Sequence, residues 1–204
     1  SWRQYDVDPR AFSHRLVHHA ERAVTYDAEH RSSMRAPGWA SALTDNEPMH
    51  PLDVIIEGWS ATLSENVPGS ATMCVATLDE ELSQLSYSNI GDGGILVIRE
   101  VRDETAGHMP RGSASSRSNS SNAGGNRMQI VFWSQQQLRG FNLPFQLGLG
   151  NEDFHPQHFE TPADADTGSI PVYPGDIVVI ATDGLYDNLS MEDIVDTAER
   201  WADE

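Results

Sequence analysis

The chain has 204 residues, 38% of them hydrophobic, and sets 13 Lys and Arg against 31 Asp and Glu, for a formal net charge of −18. That length can bury the core of one large domain. The acidic balance argues against nucleic acid and anionic membrane surfaces as partners, since both select basic faces. The lone cysteine, Cys74, rules out an intrachain disulfide and a Cys-x-x-Cys zinc motif.

No apolar run is long enough to span a bilayer, and no signal peptide is visible at the front. The chain opens on Ser1-Trp2 rather than Met, so upstream residues, with any targeting segment, are expected to be missing. "DVDPRAFSHRLVHHAERAV" predicts a helix with Asp8 as N-cap and Pro9 in its first turn. Phe12, Leu16, Ala20 and Ala23 or Val24 form its buried stripe. His14 and His18 stand four apart as metal chelators would. A solvated helix face explains them better, because no His-Glu-x-x-His pattern surrounds them.

A polar loop is expected from Arg31 to Pro51. "PLDVIIEGWSATLSEN" then predicts a second helix, with Leu52, Ile55, Ile56, Trp59 and Leu63 on one face. "GSATMCVATLD" reads as one central strand covered on both sides, with Cys74 a small core residue rather than a nucleophile. "QLSYSNI" and "GILVIREV" flank "GDGG", a turn signal. Residues 70–101 are therefore expected to form an antiparallel meander. The Ser-, Asn- and Gly-rich segment at 112–126 predicts a flexible insertion. "MQIVFWS" resumes strand character, and "GSIPVYPGDIVVIATDG" holds a turn followed by a buried strand. "SMEDIVDTAERWADE" closes the chain as a helix, with a Ser190/Asp193 capping box and Ile194, Ala198 and Trp201 facing inward. Antiparallel strands with segregated helices give an α+β layered fold in a single domain over 1–204. The absence of any G-x-G-x-x-G or G-K-[ST] loop argues against nucleotide binding.

Four aspartates lie at turns beside apolar strands: Asp92, Asp176, Asp183 and Asp187. Asp176, at the start of its strand, suits an Asx turn. Asp183 lies at the far end of the same strand, where ligand sites gather. Gly184 beside it lets another group approach, and Asp187 can share a side of the first helical turn with it. Oxygen-only clusters of this kind suit Mg²⁺ or Mn²⁺; a turn-forming or solvated role is the alternative.

Four segments, "GSATMCVATLD", "YSNIGDGGILVIR", "FNLPFQL" and "GDIVVIATDGLYDNL", resemble in order and spacing the metal-dependent protein phosphatases of type 2C. "FNLPFQL" and the opening "SWRQYDVDPRAFSHRL" look most like a subgroup whose animal members are mitochondrial. The resemblance implies a four-layer α-β-β-α sandwich of two antiparallel sheets flanked by helices. It implies two Mg²⁺ or Mn²⁺ ions, with a third held more weakly, that activate a water to hydrolyse phosphoserine or phosphothreonine in protein substrates. It also implies an intracellular, mitochondrial location. By position, Asp183 becomes a metal ligand, while Asp187 and Asp92 hold the third ion. Gly69 and Ser70 match a structural turn.

The departures are informative. The family's first Asp-Gly loop and last Asp pair would lie outside Ser1 to Glu204, so the chain looks incomplete at both termini. No catalytic residue is assignable within it, and alone it is expected to be weak or inactive. Family "GDS" is "GDG" here, with Gly93 for Ser, and Arg139-Gly140 stands where a His is expected. The leading reading is a protein Ser/Thr phosphatase or part of one. The alternatives are a pseudophosphatase or partner-binding fragment that keeps the fold without catalysis, and an unrelated acidic module.

Overall fold

The computed structural model describes residues 7–33, 48–102, 126–150 and 159–202. The Ser-rich insertion up to residue 125, most of the polar loop, and Glu152, Asp153 and His155–His158 lie outside the described residues. Among the described residues four helices and ten strands follow in chain order: α1 (Ala11–Ser33), α2 (Pro51–Ser64), β1 (Gly69–Ala71), β2 (Met73–Asp79), β3 (Gln84–Ile90), β4 (Gly94–Arg102), β5 (Asn126–Trp133), β6 (Leu138–Gly140), β7 (Leu143–Pro144), β8 (Leu147–Leu149), β9 (Asp166–Pro171), β10 (Ile177–Ala181), α3 (Asp183–Tyr186) and α4 (Met191–Ala202). A short 3₁₀ turn occupies Pro162–Asp164.

Three apolar clusters define four layers. Phe12 and Leu16 of α1 and Ile55 of α2 pack on Ile90 and Leu147. Leu85, Tyr87 and Val172 pack against Ile95 and Val97, joining one antiparallel sheet, β2-β3-β9, to another, β10-β4-β5. Leu96 and Ile98, on the opposite face of β4, pack against Ile194 and Ala198 of α4. The period-2 alternation of β4 thus serves two cores at once, which is why "ILVI" is apolar throughout. The expected α+β sandwich of two antiparallel sheets between helices is the observed architecture. No helix among the described residues is long and apolar enough to cross a membrane.

Several local expectations need correction. The first helix begins at Ala11, with Asp8 accepting from the Arg10 amide at 3.0 Å, and continues through Arg31–Ser33 into the expected loop. Its buried stripe is Phe12, Leu16 and Ala20, while Val24 is exposed. In α2 the inward face is Val54, Ile55, Gly58 and Thr62, and Ile56 points outward. The cause is close helix packing. A Cβ on Gly58 would stand 3.0 Å from the Leu16 carbonyl oxygen and 3.1 Å from Ala20 Cβ, so small residues rather than the largest ones line the contact. "GSATMCVATLD" is not one buried central strand. It breaks at Thr72, β1 pairing with β8 and β2 with β3, and β2 has no partner on its other side among the described residues. Trp201 is exposed beyond the end of the α4 stripe.

The largest difference concerns "GDGG". β2 and β3 form the expected hairpin, but β3 and β4 do not pair. β3 continues to β9, while β4 lies between β10 and β5. Residues 91–93 therefore cross from one sheet to the other, and the meander ends at β3. A second crossing, residues 172–176, joins β9 to β10 at the opposite end of the sandwich.

That second crossing explains Asp176. Its Oδ2 accepts from the Tyr173 amide at 2.9 Å, completing the expected turn, and both its oxygens accept from Arg99 of β4 at 2.7 Å. The Asp176 side chain is 3% exposed and that of Arg99 27%, and the guanidinium lies 4.4 Å from the Tyr173 ring centre. Hydrogen bonding from Arg99 holds the Asp176 carboxyl below the usual carboxylate range, burial notwithstanding. A depressed folded-state pKa stabilises the fold above the unfolded carboxylate's pKa, and that contribution is lost as pH falls through the folded value. Asp176→Asn is expected to cost about 1–3 kcal/mol at neutral pH. In thermal melts the gap from the parent should close in strong acid; a gap that stays constant with pH would refute the assignment.

Candidate metal centre

The site end of the sandwich is where β3 ends, β4 begins and β10 ends. Antiparallel pairing puts Ala181 opposite Gly94. Asp92, two residues before Gly94, and Asp183, two residues after Ala181, are thereby brought to the same end of the sheet. Thr182 is the N-cap of α3, and the Asp187 amide donates to the Asp183 carbonyl at 2.7 Å. This single helical turn carries Asp183 and Asp187 on one side. Asp92 is 8% exposed, Asp183 half-buried and Asp187 exposed.

Burial raises the Asp92 carboxyl above the usual range, and the nearby charges of Asp183 and Asp187 push it further the same way. Of the three acids that the resemblance names, Asp183 and Asp187 thus lie close enough to Asp92 to disfavour its charge. None makes an ion pair with a basic side chain among the described residues. Their oxygen-only chemistry suits a hard divalent cation. They do not converge into a closed shell: among the described residues no group of three or more His, Cys, Asp or Glu is arranged to hold a metal by itself. The set fits a cation that takes its remaining ligands from water or elsewhere.

The turn carrying Asp92 is held by side chains that sequence reasoning did not single out. Asn89, 1% exposed, donates from Nδ2 to the carbonyls of Gly91 at 3.2 Å and Gly93 at 3.0 Å. Gln136 donates to the Asp92 carbonyl at 2.8 Å. Gln137 accepts from the Gly91 amide at 3.2 Å through Oε1 and donates its own amide to the Gly91 carbonyl at 2.9 Å. Ser134 accepts from the Ile95 amide at 2.9 Å, and Tyr186 donates to the Gly94 carbonyl at 3.1 Å. The available signal was Asn89 itself, a side-chain amide two residues before the glycine turn.

Gly93 has a local reason. A Cβ there would lie 2.9 Å from the Ala181 carbonyl oxygen, so the turn presses directly on the end of β10. His14 and His18 are both exposed on α1, as a solvated face requires. Burial pushes the Cys74 thiol up to about 12, which leaves it protonated and unsuited to nucleophilic chemistry. Arg139 is paired with the buried Glu160. It lines an open depression of about 640 Å³ with Leu138, Phe145, Phe159 and Asp164. Gln137 and Phe145 flank the β6–β7 hairpin and touch each other through a 3.0 Å backbone bond, so the depression adjoins the Asp92 turn without being lined by Asp92, Asp183 or Asp187.

No family model matches the chain. It is 31% identical over 191 residues to Protein phosphatase PTC7 homolog of Danio rerio, covering 92% of this chain and 50% of that protein. The same identity holds for the Homo sapiens homolog, covering 92% of this chain and 48% of that protein. The chain thus spans about half the length of the curated relatives it matches. Among solved structures, the photosystem II phosphatase PBCP superposes with a TM-score of 0.65 at 22% identity, covering 98% of this chain and 57% of that one. That likeness bears on the fold.

Proposed function

Because the chain belongs to the type 2C protein phosphatases, with the PTC7 homologs as its relatives, we propose that the full-length protein hydrolyses phosphoserine and phosphothreonine in other proteins with the help of Mg²⁺ or Mn²⁺. Residues 1–204 form part of its single catalytic domain, and the mitochondrial location implied by the subgroup goes with the same reading. The observation that carries it is the 31% identity to the PTC7 homologs over 92% of the chain, together with the β4–β10 pairing that brings Asp92 and Asp183 to one sheet end.

In this reading Asp183 is a primary ligand, and Asp187 and Asp92 hold an outer ion. Bound there, divalent cations lower the pKa of a coordinated water and take up charge on the attacking and leaving oxygens. The protein's own contribution is placement. The β4–β10 pairing sets Asp183 beside Asp92, and the absent side chain at Gly93 lets the turn lie against Ala181. Exposed Asp187 faces solvent, where an outer ion can exchange. No nucleophilic side chain is needed, which agrees with the protonated state of Cys74.

The test is hydrolysis of a phosphothreonine peptide by the full-length protein with Mn²⁺ added, with Mg²⁺ added, and after chelation. Turnover is expected with either cation and none after chelation. Full activity in chelator, or no activity with either ion on a panel of phosphopeptides, would defeat the proposal.

A further inference from the structure

Asn89 keeps a polar atom where the core offers it nothing. Its side chain is enclosed, 1% exposed, and while Nδ2 makes two hydrogen bonds, Oδ1 makes none with the described residues. Fold stability alone does not favour an amide there, since a buried acceptor without a partner carries a desolvation cost that an apolar residue avoids. What the amide does provide is a bridge. Nδ2 spans the carbonyls on either side of Asp92, fixing Gly91 and Gly93 relative to each other, and Gln136 takes the carbonyl of Asp92 itself. All three carbonyls of the crossing are thereby engaged by side-chain amides. The carboxylate between them faces two like charges, which tend to push the turn away from β10.

We propose that Asn89, backed by Gln136, is a positioning residue: it clamps the 91–93 crossing against electrostatic repulsion so that Asp92 stays within reach of a cation shared with Asp183 and Asp187. The inference rests on the reading of Asp92 as a ligand. It assigns the work of alignment to groups that never touch the metal.

Asn89→Leu keeps the branching of the side chain at Cγ and removes the donor. In the full-length protein, calorimetric titration well below the melting temperature should show Mn²⁺ affinity at the Asp92-dependent site reduced at least ~10-fold. In an Asp92→Asn background the same change should leave Mn²⁺ affinity unaltered while shifting the melting temperature as before. A purely structural residue would show equal effects in both backgrounds, or none on affinity, and either result overturns the proposal. Should Asn89→Leu not fold, Gln136→Met at its half-buried position decides the matter by the same criterion, with a smaller effect of the same sign. If Asp92→Asn alone leaves Mn²⁺ affinity unchanged, the ligand reading has failed instead. Amide exchange then judges the clamp: selective acceleration at Gly91–Gly94 in Asn89→Leu supports it, and unchanged exchange there overturns it.

Discussion

Asp183→Asn in the full-length protein is expected to lower kcat for Mn²⁺-dependent hydrolysis of a phosphopeptide by on the order of 100-fold or more, beyond what loss of an outer-shell partner produces. The fold should survive. Asp183 is half-buried, sits in the first turn of a four-residue helix, and makes no ion pair among the described residues. Its carboxylate raises the energy of ionised Asp92. Replacing it with a neutral amide of the same shape removes like-charge repulsion, so the metal-free melting temperature should hold or rise slightly. Loss of activity without loss of stability separates a ligand from a core residue. Asp187→Asn, changing an exposed group, should have a milder effect, about tenfold. Wild-type turnover in Asp183→Asn, or collapse of the fold, would dismiss the assignment.

The largest expected loss of stability comes from Gly91→Ala. Gly91 has a φ of +116°, a backbone region that L residues rarely occupy. A Cβ there would also meet Thr72, 2.4 Å from Cγ2 and 2.6 Å from Cβ, and lie 3.1 Å from the Phe145 carbonyl oxygen. Backbone strain costs about 1–3 kcal/mol and overpacking about 1–3 kcal/mol. For a chain of this size, 1 kcal/mol corresponds to roughly 2–4 °C, so a fall of roughly 10 °C is expected in thermal melts. The two causes can be separated. Thr72→Gly added to Gly91→Ala relieves the clash but not the φ, and should restore only part of the loss relative to Thr72→Gly alone. A melting temperature within a degree or two of wild type in Gly91→Ala would mean the crossing is far more pliable than its contacts indicate.

Local chemistry explains what the sequence made legible. Ser190 and Asp193 form the expected box, with the Ser190 backbone amide donating to Asp193 Oδ2 at 3.1 Å and the Asp193 amide donating back to Ser190 Oγ at 3.1 Å, because both partners lie within one turn. The strands of "QLSYSNI" and "GILVIREV" were readable from composition. Where the chain goes after Ile90 was not. A tight glycine turn serves a hairpin or a crossing equally well, and the choice is set by β4's pairing with β10 and β5, dozens of residues away. The inward face of α2 was hidden for a related reason: Gly58 and Thr62 are buried by what α1 brings to them, not by their own hydrophobicity. Asp183, Asp187 and Asp92 were singled out as candidates through turn position and resemblance. Gln136 and Gln137 act through partners that only the fold supplies, the Gln137–Gly91 bond for instance spanning 46 residues, whereas Asn89 bonds the nearby carbonyls of Gly91 and Gly93.

The two short crossings have a mechanical consequence. Residues 91–93 join the sheets at the site end and residues 172–176 join them at the other, so the sandwich resembles a book sewn along opposite edges. Neither leaf can swing open about the other as a hinge while both seams hold. Relative motion is confined to shear, and shear of even an ångström would travel straight into the spacing between Asp92 on one seam and Asp183 in the helical turn that follows β10. The corner that carries Asp92 and Asp183 is therefore also a sensitive gauge of slippage between the leaves. Loosening the distant seam at Arg99 or Asp176 should register there before any strand has come apart.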